Sequence, residues 1–251
     1  MSIDFIGFKV GDVNGTVDAA SIVAGSRSNY NLVTEDRSFT PGETVQVSFK
    51  ASDMINTLGM QMSIAFNADA LAFTGIDAQG LAIGREHIGY TKATEGAIAI
   101  SWSDVMAKAL TTGEELFTVS FRAKRTGKLS DMVAIENATY SSEIYDEQLD
   151  IAQLGLVFNE KAETGEFVLQ QNVPNPFAEN TLISFYLPNA AETTLTITDL
   201  TGRTIKNYTG SFDKGNNYIS VRSDELAVSG VLFYTVATEN FTDTKRMVVL
   251  K

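Results

Sequence analysis

The 251-residue chain contains no cysteine, so disulfides, thiol nucleophiles and thiolate metal sites are excluded. It has a single histidine, His87, and a single tryptophan, Trp102. A Ser-His-Asp triad would have to use His87. No Gly-x-Ser-x-Gly elbow accompanies it, and its neighbours Arg85 and Glu86 read as a solvated loop. No glycine-rich turn is followed by Lys-Ser or Lys-Thr, which leaves no phosphate cradle. No apolar run approaches the length of a membrane-spanning helix, and no membrane insertion is expected. Positive charge is also scarce. Nineteen Lys and Arg stand against 31 Asp and Glu, for a net charge of −12. Nucleic acid and anionic membranes are polyanions and are disfavoured as partners. The deficit is uneven: residues 1–160 carry −10 and residues 161–251 only −2.

What is present is globular. Hydrophobic residues make up 44% and charged residues 20%, and the length allows two domains. The dominant period is two. Val45, Val47 and Phe49 alternate with Thr44, Gln46 and Ser48. Residues 58–66, 71–76, 116–123, 133–140 and 154–158 read as further strands, and Ile98, Ile100 and Trp102 share one face of another. Helical spacing is nowhere sustained; residues 104–110 have room for one turn. In the last ninety residues, the stretches 182–187, 195–200, 217–221, 231–238 and 247–250 are short and rich in β-branched and aromatic types. Each is bounded by Gly, Asn or Asp, as strands of a sandwich are. Three of the four prolines are Pro174, Pro176 and Pro188. Pro174-Asn175-Pro176 cannot be helical and reads as a stiff extended lead-in that aims Phe177 at the domain behind it. The expected fold class is all-β, with two sandwich domains: residues 1–32 as a linker, 33–160 as the first and 161–251 as the smaller second.

Candidate sites follow from residue type. Trp102, Tyr90 and Tyr140 could stack on a sugar, although the spacing of Trp102 turns it toward the core. Glu143, Asp146, Glu147 and Asp150 form a polar cluster that reads as a solvated loop or as a calcium site. Glu114 and Glu115 lie at a turn before a strand.

Several motifs carry resemblances. Pro174-Asn175-Pro176-Phe177, Leu187-Pro188, residues 195–203 with Gly202, then Ser229-Gly230-Val231 and the ending 245–251 up to Lys251 resemble the C-terminal sorting domain, type A, of the type IX secretion system of Bacteroidetes. In that family an aromatic usually follows the late glycine, in a Gly-x-Tyr pattern; here Leu232 stands at that place, with Phe233 and Tyr234 following. The resemblance implies a seven-stranded Ig-like domain that acts as an export address. It also implies, as partners, the secretion machinery and a sortase-like protease that removes the domain and anchors the cargo. The protein would then be secreted or held at the outer-membrane surface, with the cut expected within residues 159–165. An exported chain needs a leader, and Met1-Ser2-Ile3-Asp4 is not one, so the sequence reads as the C-terminal part of something longer.

Residues 41–45, 60–73 and 113–121 resemble a cohesin domain, a nine-stranded jelly roll that pairs with dockerins. This implies a non-catalytic, protein-binding or spacer module with a dockerin-like partner. The alternative is a carbohydrate-binding module with a polysaccharide partner, on a secreted polysaccharide-degrading enzyme. Residues 7–18 resemble a degenerate dockerin calcium loop in which Asp12 and Asn14 match and Thr16 replaces the third acid. The segment reads either as a plain turn in a linker or as a weak Ca2+ site.

Overall fold

The computed structural model describes residues 28–137, 140–160 and 165–250. Its elements are almost all strands. The first domain holds β1 Ser28–Asp36, β2 Ser38–Phe39, β3 Thr44–Ala51, β4 Ile55–Phe66, β5 Leu71–Ala78, β6 Ile88–Gly89, β7 Ala97–Leu110, β8 Glu115–Ala123, β9 Gly127–Lys128, β10 Val133–Glu136, β11 Glu143–Asp146 and β12 Ile151–Glu160. A single helical turn, α1 Leu129–Met132, precedes β10.

One ten-stranded sheet runs β5-β8-β3-β1-β12-β11-β4-β7-β6, with β10 also paired to β4. It curls over its own face. Phe121 on β8 and Phe66 on β4 lie far apart along that order, yet their rings approach to 5.0 Å. A flat sheet would separate them by about five strand spacings of about 4.8 Å each. The closure buries one contiguous core that includes Phe49 stacked on Phe117, together with Leu32, Met62, Ile64 and Ile100. Trp102 is in this core, as its spacing predicts.

The structure revises several sequence expectations. Residues 28–31, read as linker, are the start of β1, which pairs in parallel with β12 from Ser28↔Ala152 onward. Parallel pairing buries both faces and erases the alternation that would have marked the strand. Residues 104–110 form no helical turn. They belong to β7, where residues 104–107 bulge out opposite Leu58 on β4. The acidic stretch at 143–150 is not wholly a solvated loop. Glu143 is buried on β11 and accepts a hydrogen bond from the Tyr145 hydroxyl at 2.8 Å.

The second domain has seven strands: β13 Val168–Leu169, β14 Asn180–Leu187, β15 Ala191–Thr198, β16 Thr204–Phe212, β17 Gly215–Arg222, β18 Gly230–Ala237 and β19 Thr242–Val249. They form a sheet β13-β14-β17 facing a sheet β16-β15-β18-β19. Between them lie Phe177, Ile183, Phe185, Leu195, Ile197, Tyr234 and Met247. The strand β16 has no clear signal in the sequence. It is an edge strand whose apolar contributions, Ile205, Tyr208 and Phe212, are irregularly spaced and only partly buried.

The domains touch. Val33 and Val157, register partners on β1 and β12, face away from the first core and pack on Leu182 and Tyr218 of the second domain. The Asn180 side chain donates to the Asn29 carbonyl at 2.7 Å, and Asn216 donates to Glu35 at 3.3 Å.

Candidate functional site

Three of the second domain's motifs, Pro174–Phe177, Gly230 and the terminal stretch, meet at its last strand. β19 pairs with β18 along one edge, which leaves the N–H and C=O groups of Arg246 and Val248 on the other. An open edge of this kind invites pairing with another chain. Here the Pro174–Phe177 segment seals it. The Asn175 side chain accepts the Val248 N–H at 2.9 Å and donates to the Arg246 carbonyl at 3.3 Å. The Phe177 N–H donates to the Val248 carbonyl at 3.0 Å, and the Leu250 N–H returns to the Phe177 carbonyl at 2.7 Å. Gln171 adds a bond to the Arg246 carbonyl at 2.9 Å. The Phe177 ring is buried between the sheets, as the lead-in predicts. The lead-in itself is not simply extended, because both the Val173–Pro174 and Asn175–Pro176 bonds are cis.

A buried network holds this segment from behind. The Tyr234 hydroxyl donates to the Gln170 carbonyl and accepts the Asn172 N–H, both at 2.8 Å. The Asn172 side chain donates to the Thr181 hydroxyl at 2.9 Å and to the Pro174 carbonyl at 3.2 Å. Thr181 also donates to Pro174, at 2.8 Å. Burial pushes the Tyr234 phenol well above its ordinary value, so it remains a neutral donor.

The two motif glycines do backbone work. Gly202 has φ of 84° and Gly230 has φ of 105°, conformations that side-chain-bearing residues resist. Gly202 closes a turn organised by Asp199, which accepts from the Thr201 hydroxyl and from the Thr201 and Arg203 N–H groups. The Thr201 hydroxyl, followed by these N–H groups and Arg203, lowers the Asp199 carboxyl to about 2 against a smaller opposing effect of burial. Leu232, at the usual aromatic place, is buried in the core, while Tyr234 two residues on supplies the aromatic there.

The other candidates are dispersed. Asp12, Asn14, Thr16 and Lys251 lie outside the described residues. Trp102 is 5% exposed, Tyr90 is 39% exposed and takes a hydrogen bond from Arg85, and Tyr140 is half-buried. His87 accepts the Gly84 N–H through Nδ1 at 2.8 Å, a local loop contact. Among the described residues, no group of three or more His, Asp or Glu could hold a metal, and no helix is long and apolar enough to cross a membrane.

Comparison with known families fits the second domain. Residues 173–250 match the profile of the secretion system C-terminal sorting domain. This chain carries a type IX sorting tail. The sorting tail makes it a secreted or cell-surface protein that engages the secretion machinery. The matched span begins at Val173 and so contains the edge-sealing segment and the strand it seals. No curated protein matches the chain. Among solved structures, the sixth cohesin of scaffoldin B from Acetivibrio cellulolyticus, solved with a mutant Cel5 dockerin, is 17% identical. It covers 53% of this chain and 100% of its own, with a TM-score of 0.40. A type I cohesin–dockerin complex from Clostridium thermocellum is 10% identical over 55% of this chain and 98% of its own, at 0.39. A type II cohesin from the Acetivibrio cellulolyticus cellulosome is 14% identical over 53% and 92%, at 0.37.

Proposed function

We propose that this chain belongs to a secreted bacterial protein. Its last domain directs export and surface anchoring, and its first domain is a non-catalytic protein-binding or spacer module. The observation that carries the reading is the match over residues 173–250, within which the Pro174–Phe177 segment is bonded to β19. A sorting signal that must be read as a folded unit needs its last strand protected from stray pairing, and the Asn175 seal meets that need.

A sortase-like protease acting between the domains removes the tail. Asn159 is 2% exposed on β12, so the cut falls after Glu160 rather than within the strand. The protein-binding role of the first domain is supported by its residue pattern and by a core that leaves Met54, Val105 and Met106 exposed at 74%, 93% and 76%.

Fusion of residues 161–251 to an unrelated exported protein tests the sorting role in a bacterium that carries this secretion system. The fusion is expected outside the outer membrane; its retention in the periplasm would refute the reading. Mass spectrometry of the surface form is expected to find peptides ending between residues 160 and 165.

A further inference from the structure

The two domains meet face to face. On the parallel pair β1–β12, Tyr30, Leu32, Leu154 and Leu156 turn inward to the first core. The alternate side chains turn outward, with Val33 and Val157 at their centre. These valines are 0% and 5% exposed because Leu182 and Tyr218 of the sorting domain lie on them. Amides flank this centre: Asn180 donates to the Asn29 carbonyl and Asn216 to the Glu35 carboxylate. Cutting the chain after Glu160 and removing the tail would expose two adjacent valines in the middle of a parallel pair, a place that proteins keep covered on both faces.

The register shows what fits in the tail's place. β1 and β12 pair outward as Asn29↔Gln153, Asn31↔Gly155, Val33↔Val157 and Glu35↔Asn159. A two-fold axis running between these strands, and along them, lays each residue on its own register partner in a second copy. Valine then meets valine, amide meets amide, Asn31 meets a glycine and the Glu35 carboxylate meets the Asn159 amide. No like charges meet in this set. Lys50, next to Val33 on β3, comes over β11 of the other copy rather than over its own counterpart. The exchange keeps the chemistry of the docked tail: Glu35 trades the Asn216 amide for that of Asn159, and the valines trade Leu182 and Tyr218 for each other.

We infer that the β1–β12 face is a self-association surface of the first domain, that its occupant after tail removal is the same face of a second copy, and that the docked sorting domain is its cover until then. The cover keeps copies apart during export. Its removal pairs them where anchored copies are confined to one surface and their effective concentration is high. The inference rests on the tail removal proposed above.

The test uses the full chain with the recognition sequence of a site-specific protease set between Glu160 and Gly165 and an affinity tag after Lys251. The folded chain is cut, the tail is captured by its tag, and light scattering gives the mass of the released first domain over a range of concentrations. The uncut chain is expected at the mass of one chain throughout. The cut first domain is expected to rise toward twice its own mass. Asn159→Asp sets carboxylates against Glu35 of the other copy and is expected to weaken the pairing about tenfold or more, whereas Asn159→Lys is expected to keep or strengthen it. Circular dichroism of each cut domain checks that it is folded. A cut domain of single mass at every concentration would overturn the inference, as would an uncut chain that already pairs. A first domain that stays on the captured tail would show that the cover does not come away, and would overturn it too. Equal pairing by the aspartate and lysine variants would overturn this face as the surface. None of these readouts depends on export, so the sorting role stands or falls by the fusion of residues 161–251 alone.

Discussion

The Asn175 side chain stands where a neighbouring strand would stand beside Val248, accepting its N–H at 2.9 Å while donating to the Arg246 carbonyl. One amide thus satisfies a donor and an acceptor on the free edge of the final strand, as a backbone peptide does. Asn175→Ala is expected to destabilise the second domain by about 1 kcal/mol, the net worth of such bonds near solvent. Asn175→Asp keeps the acceptor and loses the donor, so its loss should be smaller. Urea unfolding followed by near-ultraviolet circular dichroism ranks the three, and an unchanged midpoint for the alanine variant would contradict the seal.

Tyr234→Phe removes a hydroxyl that serves both the Gln170 carbonyl and the Asn172 N–H. Asn172 is 1% exposed, so water does not readily replace the lost partner. A cost of about 1–3 kcal/mol is expected, larger than that of Asn175→Ala because the orphaned group is buried. A smaller loss than for the surface amide would show that the network behind the proline segment is slack.

Domain docking is expected to fail at alkaline pH through Tyr218. Its phenol is pushed up to about 12, mainly by burial against the first domain, with Glu35 adding to the rise and Asn159 opposing it. The docked state holds the neutral form, whereas an undocked tyrosine ionises near its ordinary 10. The contribution is therefore fully present below pH 10 and is lost between pH 10 and about 12. Small-angle scattering should show a larger radius of gyration at pH 11 than at pH 8. Tyr218→Phe, which keeps the ring on Val33 and Val157, should remove that expansion.

Asp36 gives the opposite dependence. Burial alone would raise its carboxyl, but Lys128 at 2.9 Å and the Ser130 hydroxyl and N–H outweigh it and hold the group below its ordinary 3.8. Its stabilisation is present above that value and disappears as pH falls through the lowered one. Asp36→Asn should cost about 1 kcal/mol at pH 7, with the Lys128 side chain partly in water, and nothing once the parent's carboxyl is protonated. Equal stability of the two proteins at pH 7 would show that the pair is ornamental.

Much of the fold was legible from alternation alone. β3 and β18 announce themselves because one face is core and the other more exposed, as Val45, Val47 and Phe49 illustrate. The proline motif likewise announced that Phe177 is aimed inward. Strands escaped notice where that asymmetry fails. β1 is paired in parallel with β12 and covered on its outer side by the second domain, so Leu32, Val33 and Thr34 are all buried in succession. β11 carries the buried Glu143, whose charge reads as solvent exposure until Tyr145 is seen beside it.

The sequence by itself determined the all-β class, the two blocks and the identity of the terminal signal, because period, turn residues and motif spacing are local properties of the chain. Only the tertiary structure decided that Asn175 seals β19, that Tyr234 anchors Asn172 and that one face of the sorting domain is spoken for by Val33 and Val157. Those contacts join residues far apart in sequence, 62 positions for Asn172 with Tyr234 and 185 for Val33 with Tyr218. Their partners are set by how the sheets curl and pack, which no local pattern encodes.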